Sequence, residues 1–93
     1  MSAGLTRESA PRLAPGVRLQ ESRARGTSVL LAPERVLEPD AVAADVLARL
    51  DGARCVAEIA EELAAEYDAE AATIERDVLA LLAELTDKGV VTP

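Results

Sequence analysis

Ser28-Val29-Leu30-Leu31-Ala32-Pro33-Glu34-Arg35-Val36-Leu37-Glu38-Pro39 is the stretch on which the fold turns. Ser28 to Ala32 is an apolar run of strand length, Pro33-Glu34 supplies a tight turn, and Arg35 to Glu38 forms a short strand returning beside the first. After Glu38 the apolar period changes from that of a strand to that of a helix, carried by Val42, Val46, Leu47 and Leu50. Pro39 suits the first helical turn, where a missing N–H costs nothing. A hairpin ends where a helical part begins, so the chain reads as sheet first and helices after.

Upstream, Val17-Arg18-Leu19-Gln20-Glu21 alternates apolar with polar, which predicts a half-buried strand over Gly16 to Arg23. Arg25-Gly26-Thr27 turns it into the Ser28 strand, making a three-stranded meander. Met1 to Pro15 carries Ser, Gly, Pro and scattered charge without periodicity, and reads as a mobile leader contributing little to the core. The folded domain is then expected over residues 16–91.

Downstream, Asp51-Gly52 ends the first helix, Gly52 being free to adopt positive φ. The second runs from about Cys55 to Tyr67, with Val56, Ile59, Ala60, Leu63 and Tyr67 on one face. Glu58, Glu61, Glu62 and Glu66 face water there without a partner to perturb them. Ile74, Val78, Leu81, Leu82 and Leu85 mark a third helix, capped by Asp68 or Thr73 and closed by Gly89, with Lys88 in its last turn. The expected fold class is α+β, a three-stranded antiparallel sheet followed by three helices that cover one face of it.

Composition narrows the function. The chain has 93 residues, room for one domain, and its only aromatic is Tyr67, so no stacking platform for bases or sugars exists. It has no histidine and one cysteine, Cys55, which leaves neither an internal disulfide nor a Cys/His metal set nor an imidazole base. Cys55, at a helix start with no lysine nearby, reads as a structural thiol. No apolar run has the ~20 residues of a membrane span, and the N-terminus lacks the apolar run of a signal peptide. A soluble, cytoplasmic, monomeric protein without cofactor or membrane partner is expected.

Charge is unevenly placed. Residues 1–37 hold six arginines against three glutamates, whereas residues 38–93 hold fourteen acidic residues against four basic ones. No basic residue stands between Cys55 and Arg76, so a helix offered to a DNA groove would carry the wrong sign, and nucleic acid is not an expected partner. A carrier protein would need a serine at a helix start, and none follows Ser28. An enzyme would need a nucleophile–base pair, which these residues do not supply.

What remains is binding. A sheet of three short strands keeps at least one edge open, and the Val36-Leu37 edge would lie beside aliphatic residues of the third helix. An extended peptide can join such an edge by strand addition. Without a ligand the same edge is simply solvated, or pairs with a second copy.

Leu30-Leu31-Ala32-Pro33-Glu34-Arg35-Val36-Leu37, then Leu50-Asp51-Gly52, Val56-Ala57-Glu58-Ile59 and Ile74-Glu75-Arg76-Asp77-Val78 form an ordered set. With the opening Pro15-Gly16-Val17-Arg18-Leu19 it is similar to the PqqD family over roughly residues 12–91. Glu38-Pro39-Asp40 departs from the family pattern, which has Leu-Asn-like residues there.

The resemblance implies a winged-helix-like fold, a three-stranded antiparallel sheet followed by a three-helix bundle, that serves as a recognition element for ribosomally made precursor peptides without chemistry of its own. Its ligand would be the precursor peptide PqqA of pyrroloquinoline quinone (PQQ) biosynthesis, presented to the radical S-adenosylmethionine enzyme PqqE. The alternative is the peptide of another ribosomal pathway. By the same resemblance the peptide pairs with the strand at Leu31, Arg35, Val36, Leu37 and Glu38 and rests on the third helix at Arg76, Val78, Leu79 and Leu82. Arg23, Arg25 and Arg35 read either as solvated sheet cations or as an attraction for an acidic peptide, and Arg76 either as a surface ion pair or as a docking contact.

Overall fold

A computed structural model describes residues 5–22 and 26–93. Along the chain run β1 (Arg12–Leu13), β2 (Arg18–Ser22), β3 (Thr27–Ala32), β4 (Arg35–Leu37), α1 (Ala41–Ala48), α2 (Val56–Tyr67), α3 (Ala71–Asp87) and β5 (Val91–Thr92). β2, β3 and β4 form the expected antiparallel meander with β3 in the centre, and the three helices follow it, so the α+β fold class stands. Arg23 and Arg25 lie outside the described residues.

Cross-strand register assigns the two faces of this sheet. Leu19 pairs with Leu30 and Leu30 with Leu37, while Arg18 pairs with Leu31 and Leu31 with Val36. Because side chains alternate along a strand, the Leu19–Leu30–Leu37 row faces one way and the Arg18–Leu31–Val36 row the other. Leu30 is 1% exposed and Val36 is 62% exposed, which identifies the inner and outer faces. The inner row packs with Val46 and Leu47 of α1, Val56, Ile59 and Leu63 of α2, and Val78, Leu82 and Leu85 of α3 in a core without aromatic residues.

Residues 5–15, read from the sequence as contributing little to the core, are tied down in the structure. β1 pairs antiparallel with β5, closing a second, two-stranded sheet that the polar composition of the segment did not announce. The carbonyls of Ser9 and Arg7 accept the N–H groups of Val56 and Ala57 at 2.9 Å each, so this segment satisfies the first turn of α2. Pro11 is fully buried, and the Arg7 guanidinium meets Glu75 of α3 at 2.9 Å, a contact that pushes the arginine pKa up.

Helix ends differ from the sequence expectation in three places. Asp40 is the cap of α1, its carboxylate accepting the Ala43 N–H at 2.8 Å, so Pro39 stands just outside the first turn. α1 stops at Ala48, and the Asp51 carboxylate accepts N–H groups of Ala53 and Arg54 in the turn that follows, where Gly52 has φ +77°. Asp68, in the left-handed region at φ 52°, closes α2, and α3 starts from Glu70 without a side-chain cap. Gly89, at φ 78°, closes α3 as expected, and the chain continues into β5, a strand that the sequence did not announce.

The acidic face of α2 is partnered, contrary to expectation. Arg49 reaches across from the end of α1 to Glu62 at 3.1 Å and Glu66 at 2.7 Å, and Arg54 reaches Glu62 at 3.3 Å. Sequence alone hides this because the arginines belong to the preceding turn. Burial opposes the Arg49 charge, but the hydrogen bonds that it donates to Glu66 and Glu62 outweigh it and hold its pKa up. Glu58 accepts the backbone N–H of Cys55 at 2.9 Å, and that hydrogen bond holds its carboxyl below the ordinary range.

Candidate functional site

β4 is the outer strand of the meander, and its ladder to β3 fixes which backbone groups are free. Ala32 pairs with Arg35 next to the turn and Leu30 with Leu37, with Leu31 and Val36 between them. In an antiparallel ladder hydrogen-bonded and non-hydrogen-bonded pairs alternate. Arg35 and Leu37 therefore spend their N–H and C=O on β3, and Val36 turns both of its groups outward to the open edge. The open edge expected from the sequence is thus a real feature of the sheet, with Val36 at its centre.

Beside this edge lies a groove of about 180 Å³. Leu37, Glu38 and Pro39 form one wall, Ala43 and Leu47 of α1 its end, and Leu81, Glu84, Leu85 and Lys88 of α3 the opposite wall, with Leu30 at the bottom. The α3 residues belong together because positions three, four and seven apart share one side of a helix. Glu84 and Lys88 face each other at 3.7 Å on the rim, so the groove has an apolar interior and a charged lip. On the other side of Lys88 a shallower hollow takes in Arg35, Gly89 and Val90.

The structure brings some of the expected site residues together and separates others. Leu37 and Glu38 line the groove, Val36 and Leu31 stand on the outer face of the sheet, and Arg35 lies next to Lys88 in the neighbouring hollow. Val78 and Leu82 are 3% and 0% exposed, so they support the α3 wall from inside the core. Arg76 is exposed and Leu79 half-buried, and neither lines the groove. Leu81, Leu85, Lys88, Ala43 and Leu47 were missed as site residues. The 81, 84, 85, 88 stripe was visible as helical spacing, but nothing in a one-dimensional pattern tells which flank of α3 meets the strand.

Two titratable groups away from the groove are perturbed by local hydrogen bonds. Asp51 is held below the usual carboxylate range by the Arg54 and Ala53 N–H groups. Tyr67 donates its hydroxyl to Asp45, which pushes the phenol pKa up. Among the described residues no group of three or more His, Cys, Asp or Glu could hold a metal ion, and no helix is long and apolar enough to cross a membrane.

Fold and groove together define the class: a small α+β recognition domain whose sheet ends in an open strand edge above an apolar groove. The family model described as Coenzyme PQQ synthesis protein D (PqqD) matches residues 27–91. This chain belongs to the PqqD family, as the sequence resemblance indicated.

A PqqA binding protein of Xanthomonas axonopodis pv. citri (strain 306) is 59% identical over 85 residues, covering 91% of this chain and 88% of the relative. The solution NMR structure of the PqqD truncation of Methylobacterium extorquens PqqCD is described as a functional, stand-alone RiPP recognition element. It superposes with a TM-score of 0.85 at 42% identity, covering 99% of this chain and 97% of that one. Lasso peptide synthetase B1 complexed with the leader peptide is similar at a TM-score of 0.77 and 29% identity, covering 91% of this chain and 100% of that one.

Proposed function

We propose that this chain is a non-catalytic peptide chaperone of PQQ biosynthesis, which binds the precursor peptide PqqA as an added strand on β4 and presents it to the radical S-adenosylmethionine enzyme PqqE. It works as a monomer in the cytoplasm, where a ribosomally made precursor is released. The observation that carries this reading is the outward N–H and C=O of Val36 on the free edge of β4, next in sequence to Leu37, which lines the apolar groove with Leu81 and Leu85. Backbone groups there supply affinity, and the groove takes alternate side chains of the incoming strand. The Xanthomonas relatives named for binding PqqA favour PqqA as the ligand.

Magnitudes fit transient presentation. Each new backbone hydrogen bond contributes about 0.5–1.5 kcal/mol, and each aliphatic side chain taken into the groove about 1.5–3 kcal/mol. Ordering a disordered peptide costs about 2–5 kcal/mol. At the favourable end of these ranges four bonds and two anchors give about 12 kcal/mol, and an ordering cost of about 4 leaves about −8 kcal/mol, near 1 μM. That is tight enough to capture a precursor and weak enough to release it to an enzyme.

An NMR titration of the labelled chain with synthetic PqqA tests this. Amide shifts concentrated at residues 30–38 and 77–88 are the expected result. Saturable shifts confined to the outer face of β2, or none at millimolar peptide, would refute strand addition at β4. The likeness to a lasso synthetase bound to its leader makes a lasso-type leader peptide the informative second ligand: tighter binding of that peptide would move the protein to another pathway.

A further inference from the structure

We propose that the apolar hollow between α1, α2 and α3 is a second anchoring subsite that takes one branched aliphatic side chain of the same peptide once the peptide has left the β4 edge. The proposal rests on the strand-addition reading. The hollow is walled by Val42 and Val46 of α1, Tyr67 of α2, and Ile74, Asp77 and Leu81 of α3. Leu81 also lines the groove beside β4, where Ala43 and Leu47 of α1 stand next to Val42 and Val46. The two hollows share Leu81, and each is lined by residues of both α1 and α3.

Three further observations assign an occupant. Val36, Val42 and Tyr67 are the large hydrophobics left exposed among the described residues, at 62%, 49% and 42%. The first stands on the outer face of the sheet, whereas Val42 and Tyr67 rim this hollow, so apolar surface is left uncovered at the hollow itself. The Tyr67 hydroxyl donates to Asp45 on α1, which braces its ring as a fixed wall between the two helices. The hollow measures about 60 Å³, well below the roughly 150 Å³ in which a benzene ring fits. An isopropyl or isobutyl group matches it and an aromatic ring does not.

Spacing sets the register. The α3 residues of the hollow, from Ile74 to Leu81, sit one span before those of the groove, from Leu81 to Lys88. Seven residues of helix cover about 10 Å at ~1.5 Å each, which extended peptide crosses in about three residues at ~3.3 Å each. The anchor is therefore about three residues from the side chain seated above Leu85. Asp77 is the charged residue among those lining the hollow, so a lysine or arginine flanking the anchor is preferred over an acidic residue.

The test uses the full chain with methyl-labelled Ile, Leu and Val and the synthetic PqqA peptide. Val42→Gln and Val42→Glu suit it because Val42 is half exposed and lies in the first turn of α1, where a glutamate is tolerated by the helix dipole. The proposal expects Val42, Ile74 and Leu81 methyl shifts to saturate together with the Val36 amide, and a loss of about tenfold in affinity with both variants, as for one aliphatic anchor left in water. Edge shifts with silent hollow methyls, or variants that bind like the parent, overturn the subsite and leave strand addition intact. Shifts of the methyls with protein concentration alone assign the hollow to a second copy and overturn it too. Absence of any shift, at edge and hollow alike, removes the strand-addition reading and the subsite with it.

Discussion

Val36→Pro separates the pairing edge from the fold. Arg35 and Leu37 make the hydrogen bonds to β3, and Val36 makes none. Proline at position 36 therefore removes no ladder bond, and an outward-facing edge position is where a sheet accepts it. Val36 is also 62% exposed, so little packing is lost. The incoming strand, by contrast, loses one N–H donor at the centre of the edge and leaves a peptide carbonyl unsatisfied under the new ring. An unmet buried acceptor costs about 1–3 kcal/mol, and together with the lost bond the deficit is about 2–3 kcal/mol. Affinity should fall about 30- to 150-fold.

Isothermal titration with synthetic PqqA reads the affinity, and circular dichroism with thermal melting reads the fold. The variant should keep its helical signal and melt within a few degrees of the parent. Leu37→Pro, which does break the ladder, should lower the melting temperature clearly. If Val36→Pro binds within twofold of the parent, the peptide does not pair with this edge.

Two further outcomes follow from the geometry. Removing residues 1–10 takes away the Arg7 and Ser9 carbonyls that accept from α2 and the Arg7–Glu75 contact, so the truncated chain should unfold at lower denaturant by about 1–3 kcal/mol, read as a shift of the urea midpoint at constant slope. Glu58 and Asp51 have folded-state pKa values below their ordinary ones, so each adds stability that is present above the unfolded pKa and is lost as pH falls through the folded one. Melting temperature should therefore decline below about pH 4, and a Glu58→Gln, Asp51→Asn double variant should show a shallower decline; an unchanged acid limb would contradict the assignment.

Much of this protein was legible one residue at a time. Alternation over Val17 to Glu21, the two prolines flanking the Glu34 to Glu38 hairpin arm, and the stripes on α2 and α3 are local patterns, and the backbone follows them. Each is decided within a few residues by hydrogen bonding and burial of one face. The order of ladder pairs, with Val36 left facing out, also follows from a two-residue turn.

What the tertiary structure alone decided concerns partners far apart in sequence. β1 finds β5 some eighty residues later, Arg49 and Arg54 find the α2 carboxylates, and Pro11 is buried although Glu8, Ser9 and Arg12 beside it are polar. The site divides along the same line. Leu37 and Glu38 of the expected contacts line the groove, while on α3 its wall is Leu81, Glu84, Leu85 and Lys88, with Val78 and Leu82 turned inward. A helical stripe specifies that a face is apolar; how the helix is rotated against the sheet depends on the packing of Leu30, Leu47 and Leu63 beneath it, and that is settled only when all the elements close on one core.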